Sequence, residues 1–130
     1  MAVVPVARSL FVCDLVIVDE ESKNVTLVNI HNRFLVDTFP SGTRKFAIFG
    51  ILVNSEGIVP IELVITHLDT SDRIYQGTRS YMFPNRLQEI RFHARMTRIE
   101  FREEGVYEIV LAVNGEMFAT TRFSVHQRSL

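Results

Sequence analysis

The sequence predicts an all-β fold in which two antiparallel sheets pack face to face. Three observations carry this. Asn114-Gly115 stands between two apolar runs, and Asn-Gly suits a type I′ hairpin turn because both central residues need positive φ. Apolar and polar residues alternate with a period of two in at least five segments, as half-buried strands require. No stretch keeps a helical period for longer than a turn. Seven to nine short strands with turn residues between them read as a sandwich.

The strands can be taken in order. Leu10 to Val18 sends Phe11, Cys13, Leu15 and Ile17 one way and Val12, Asp14, Val16 and Val18 the other. A strand apolar on both faces is expected to be covered on both. Asp19 to Asn24 is a polar turn. Val25 to His31 returns from it, and Arg33 to Asp37 continues past a kink at Asn32. Phe39-Pro40-Ser41-Gly42 is a loop.

Lys45 to Asn54 places Phe46, Ile48, Gly50 and Leu52 on one face. Ser55-Glu56-Gly57 turns it into Val59 to Leu68, where Ile61, Leu63 and Ile65 alternate with Glu62 and Thr66, apart from Val64. Asp69 to Asp72 is a turn, and Arg73 to Phe83 is a weaker strand ended by Pro84. Leu87 to Met96 points Ile90, Phe92, Ala94 and Met96 inward. Thr97 to Glu104 is expected as a charged connection.

The last hairpin runs from Gly105 to Val125. Tyr107, Ile109, Leu111 and Val113 share one face of its first strand; Met117, Ala119, Thr121, Phe123 and Val125 share one face of its second. Tyr107 stands just after a glycine at a strand start. An immunoglobulin-like antiparallel sandwich puts its corner tyrosine there, with the ring in the core and the hydroxyl bonded to backbone upstream.

One hundred and thirty residues suit one domain, with short flexible ends expected at about 1–7 and 127–130. The apolar content of 47% and ten Phe can supply its core. Fourteen Lys and Arg against fifteen Asp and Glu leave a net charge of −1. That balance argues against general affinity for nucleic acid or anionic membrane and gives little repulsion against self-association. Cys13 is the single cysteine, so no intramolecular disulfide forms and a reducing compartment, the cytoplasm, fits. Met1 to Arg8 lacks the basic leader of a signal peptide. No apolar run approaches the ~20 residues of a membrane span.

Leu10-Phe-Val-Cys13-Asp14, then Val25-Thr-Leu-Val-Asn-Ile30-His-Asn32-Arg33-Phe34, then Phe39-Pro40, Gly105-x-Tyr107 and Asn114-Gly115 follow one order and spacing. This order resembles a family of small bacterial proteins known only as a domain of unknown function, with an immunoglobulin-like β-sandwich. The resemblance covers roughly Ser9 to Val125. It implies the fold and carries no activity. Ile109 occupies the place of the second cysteine of antibody domains, and there is no Trp.

The chemistry-bearing residues each have a bland reading and a sharper one. His31, His67, His93 and His126 are never two apart in sequence, so no strand face carries two of them. With one thiol they make no zinc set, and neither metal nor cofactor is expected. Cys13 on an apolar face is a buried structural thiol. Arg86, Arg91, His93, Arg95, Arg98 and Arg102 lean basic but are interleaved with Glu89, Glu100, Glu103 and Glu104. A solvated mixed-charge face is the bland reading; nucleic-acid binding by the Arg91/Arg95 strand is the weaker alternative.

A symmetric hairpin around Asp19–Asn24 would set Val18 opposite Val25 and Asp14 opposite Asn29. It would gather Asp14, Asn29, His31 and Arg33 on one face. Such a cluster is an internally satisfied network or a small-ligand or hydrolase-like site around Asp14/His31. Phe118 has the parity of Thr120 and Arg122 and is expected to face out as an interface residue. The leading expectation is a non-enzymatic binding or assembly module that self-associates or binds a protein partner.

Overall fold

The computed structural model describes residues 3–129. Nine strands follow one another: β1 (Val6–Val18), β2 (Val25–Ile30), β3 (Arg33–Val36), β4 (Thr43–Val53), β5 (Gly57–His67), β6 (Arg73–Phe83), β7 (Ile90–Glu100), β8 (Gly105–Val113) and β9 (Glu116–Gln127). They form two sheets, ordered β2-β1-β4-β7 and β3-β9-β8-β5-β6. The fold is the all-β, immunoglobulin-like sandwich that the alternation predicts. One pairing departs from the antiparallel rule: β3 runs parallel to β9. The chain leaves the first sheet after Ile30 and joins the second at Arg33, so β3 enters it as an added edge.

The core lies between the sheets. Ile48, Leu52, Phe92 and Met96 meet Ile61, Ile65, Ile109 and Leu111, all buried. At one end Phe34, Phe46, Phe101, Tyr107 and Phe123 form an aromatic cluster, with Phe34 and Phe123 centroids 5.1 Å apart. Asn114 and Gly115 have φ of 50° and 83°, the type I′ signature that Asn-Gly foretells.

Among the described residues single-residue bulges interrupt the ladders in four places, one of them at Ile74, between Ile65↔Tyr75 and Thr66↔Arg73. Arg8 is extra between Ala7↔Leu52 and Ser9↔Ile51. Thr97 and Arg98 together oppose Lys45, so β7 continues to Glu100 and buries Ile99 beyond the bulge. The expected charged connection therefore begins only after Glu100. Phe118 is the extra residue between Leu111↔Ala119 and Ala112↔Met117. Each insertion turns the following side chains to the opposite face. The N-terminal end is also tied down from Val3 onward: Pro5 is buried, and the Ser55 hydroxyl donates to the Val3 carbonyl. Met1, Ala2 and Leu130, expected within flexible ends, lie outside the described residues.

The β1–β2 hairpin does not extend straight from its sheet. β1 pairs with β4 only from Val6 to Cys13. Ser9 pairs with Ile51, which pairs with Arg91 on β7. Nine residues beyond Ser9, Val18 would stand about 30 Å away along a straight strand. Yet the Arg91 guanidinium donates to the carbonyl of Lys23, in the turn after Val18. The hairpin must therefore bend back across the outer face of the four-stranded sheet. Val16 accordingly lines a small cavity, about 150 Å³, with Ala47, His93 and Arg95. Cys13, Ala47 and Phe49 are buried although their parity points away from the core. Beyond the bend, Asp14–Val18 and Val25–Asn29 form a two-stranded arm.

Candidate functional site at the hinge of the first hairpin

The turn at the end of the arm is closed locally. The Asp19 carboxylate accepts hydrogen bonds from the Ser22 amide and hydroxyl, both 2.7 Å. These bonds hold its pKa below the usual carboxylate value, against a smaller upward push from desolvation. The turn sets the register Val18↔Val25, Leu15↔Val28 and Cys13↔Ile30, as its symmetry predicts. Asp14 and Asn29 fall at the bend, and Asn29 takes a left-handed φ of 54°, a conformation asparagine tolerates better than most residues.

Asp14 collects its neighbours there. Asn29 donates its amide to Oδ2 at 2.9 Å. His31 Nε2 lies 2.5 Å from Oδ1. An ionised carboxylate only accepts, so Nε2 carries the proton. The His31 ring also stacks on Phe34, with centroids 4.3 Å apart and planes 20° apart. The His31 side chain is 13% exposed and that of Asp14 47%. Partial desolvation pushes the Asp14 pKa up. The bonds from His31 and Asn29, with the charges of His31 and Arg44, outweigh it and leave the carboxyl below its usual range.

Three of the four expected members thus meet. Arg33 does not join them, because the chain has crossed to the second sheet and Arg33 pairs with Ser124. Arg44 of β4 is the guanidinium that acts on Asp14 instead. Arg33 opens onto a neighbouring depression of about 360 Å³ with Asn29, His31, Arg44 and Arg128.

The cluster's bonding is turned inward. Each Asp14 oxygen accepts one hydrogen bond from within the cluster, and His31 caps the aromatic end of the core. Cys13, one residue away, points to the other face and is buried; burial first, then the Asp14 charge, push its thiol pKa up, against a backbone hydrogen bond. Such a thiol is a poor nucleophile. Among the described residues no three His, Cys, Asp or Glu stand together as metal ligands. The cavity under the arm brings His93 between cations: burial first, then Arg95 and Arg79, hold its pKa down.

Other expectations meet mixed outcomes. Tyr107 is 1% exposed and its hydroxyl donates to the Glu103 carbonyl at 2.6 Å, which is the corner expected from Gly105-x-Tyr107. Phe118 does not face out: it sits at the bulge, half-buried against the core, and Met117 is exposed instead at 59%. Arg91 and Arg95 lie on the outer face of β7, with the arm folded over it and Arg91 engaged by the turn. His67 is buried. Its Nε2 donates to the Glu104 carbonyl at 3.0 Å, and its ring meets Tyr107 edge-on. Its pairing with Tyr107 across β5 and β8 could be read only once the register was known.

Comparison with known proteins bears on this frame. A family model described as a family of unknown function (DUF6941) matches residues 8–126. No curated protein matches the chain. Among solved structures it is similar to an immunoglobulin-like protein from Pseudomonas aeruginosa, at 12% identity and a TM-score of 0.50, over 95% of this chain and 98% of that one. At that identity the likeness speaks for the fold alone.

Proposed function

We propose that this chain, which belongs to that family of unknown function, is a non-enzymatic assembly module that pairs with a second copy of itself through the β1–β2 arm. The observation that carries the reading is the arm's free surface. Leu15 pairs with Val28, so the two share a face with Ile17, and all three are between 37% and 47% exposed. Ile30 stands exposed beside the bend. Together they offer on the order of 300 Å² of apolar surface, in the range where a monomer's largest patch is often functional.

The backbone adds a second attraction. β2 is an edge strand, and an edge presents unpaired amides and carbonyls to any strand that docks alongside. A two-stranded ribbon is marginal by itself, so a further strand stabilises it. A net charge of −1 opposes association weakly. The inward bonding of Asp14 and His31, and the buried Cys13, favour this reading over an enzyme. A buried lone thiol also suits the cytoplasm.

Sedimentation equilibrium tests the proposal. The wild type is expected to dimerise in the micromolar range, and Ile17→Lys with Val28→Lys to be monomeric with an unchanged circular dichroism spectrum. A wild type that stays monomeric at high micromolar concentration overturns it.

A further inference from the structure

We infer that the two copies meet about a two-fold axis, β2 against β2 in antiparallel register, with the acidic turn of each seated in the arginine depression of the other. The inference rests on the self-association proposed above and specifies its geometry. Its starting point is the charge at the two ends of β2. Before Val25 the turn carries Asp19, Glu20, Glu21 and Lys23. Asp19 is spent on its own turn. Glu20 and Glu21 are exposed and form no ion pair among the described residues. After Ile30 the depression holds Arg33, Arg44 and Arg128. Arg128 pairs with Asp37, whereas Arg33 and Arg44 form no ion pair among the described residues. Among the described residues two carboxylates without an ion pair stand at one end of the strand and two guanidinium groups without one at the other, Arg44 acting on Asp14 only through its field.

A two-fold axis is the commonest symmetry of homo-oligomers and makes each contact twice. Two identical edge strands related by such an axis run antiparallel. Antiparallel pairing brings the start of one β2 beside the end of the other. The six residues of β2 span about 20 Å, so each copy's turn reaches its partner's depression while the strands between them pair. A parallel arrangement would set turn against turn and arginine against arginine. Guanidinium groups bind carboxylates in paired, directional hydrogen bonds. Asn32 also lines the depression and adds a donor for a second carboxylate. Charge then selects the register that the β2 edge alone leaves open.

Charge exchange tests this. Arg33→Glu should weaken the dimer about tenfold or more, as like charges across an interface do, and so should Glu20→Arg with Glu21→Arg. Combining the two sets should restore association to within about threefold of the wild type, since opposite charges again face each other. Arg44 acts on Asp14 at the hinge through its charge, so Arg128→Glu serves as the second depression variant; each variant is first checked for an unchanged melting curve. The dimer should also loosen as salt rises. If the wild type dimerises but the exchanged variants associate as it does, this geometry is wrong while self-association stands. If the exchanged variants weaken association and their combination fails to restore it, the pairing of turn with depression is wrong. A monomeric wild type overturns both.

Discussion

Replacing Tyr107 separates the work of its ring from that of its hydroxyl. The ring lies parallel to Phe123 at 5.5 Å, with Phe101 at 5.2 Å and His67 edge-on at 4.8 Å. Tyr107→Phe keeps all of this and loses one hydrogen bond to the Glu103 carbonyl. Glu103 is exposed, so water can take over at that carbonyl. The cost is then about 1 kcal/mol, within the range for a lost neutral hydrogen bond. Tyr107→Ala also removes the ring from a packed aromatic cluster and leaves a cavity, costing about 3–5 kcal/mol. Urea denaturation of the wild type and both variants, read at constant slope, gives these numbers directly. In a thermal scan each kcal/mol is worth about 3–5 °C for a domain of this size. Equal losses for Phe and Ala would mean that the hydroxyl, not the packed ring, holds the corner. No loss for either would mean that Tyr107 is not a core residue.

Three further outcomes follow from the same geometry. Gly105→Ala should cost about 1–3 kcal/mol, because φ is +138° and a Cβ would stand 2.8 Å from His67 Nε2; a melting temperature equal to wild type would show that the corner has room to shift. Asp14→Asn should cost about 1 kcal/mol at neutral pH, discounted for the exposure of Asp14. A carboxyl with a depressed folded pKa contributes stability above its unfolded pKa and loses it as pH falls through the folded one, so the difference between wild type and variant should shrink below the ordinary value of 3.8; a gap constant down to strongly acid pH would remove Asp14 from the hinge's stability. Phe118→Ala should destabilise by about 1–3 kcal/mol, less than a fully buried Phe, whereas Met117→Ala should stay within about 0.5 kcal/mol; the reverse order in denaturant midpoints would place the bulge elsewhere.

What was legible in the sequence had a short physical range. Alternation reports the buried face of a strand residue by residue, so the inward sets of β4, β5 and β8 could be read directly. Asn114-Gly115 declares its turn because few other pairs accept two positive φ values. The Asp19–Asn24 turn is symmetric, so counting outward from it was enough to bring Asp14, Asn29 and His31 together. Bulges escape this kind of reading. Phe118 and the Thr97-Arg98 pair each insert one residue into an otherwise regular ladder. Nothing in the residue type marks the insertion, and every face assigned across it reverses. Arg33 was misplaced for a related reason. Past Asn32 the chain changes sheets, and parity within one strand says nothing about which sheet comes next.

The both-sided apolarity of β1 shows how a correct inference can still miss the architecture. A strand apolar on both faces needs cover on both, and Cys13, Ala47 and Phe49 do have it. No separate element supplies that cover; the strand's own continuation does, folded back at Asp14 and Asn29. The sequence holds a faint sign of the fold-back, since Asp14 and Asn29 interrupt two apolar runs at positions that the turn makes opposite. A carboxylate and an asparagine at opposed positions cost a straight ladder packing energy, but they suit a bend, where Asn29 can take a positive φ and donate to Asp14. Covering the sheet with the arm, however, moves the problem outward by one layer. The inner face of the arm, Val16, Val25 and Leu27, becomes partly buried, while Leu15, Ile17 and Val28 on its other face remain exposed. An apolar strand that shields its sheet with its own end must leave another apolar surface in its place, and that surface lies beside the β2 edge to which a second copy is assigned.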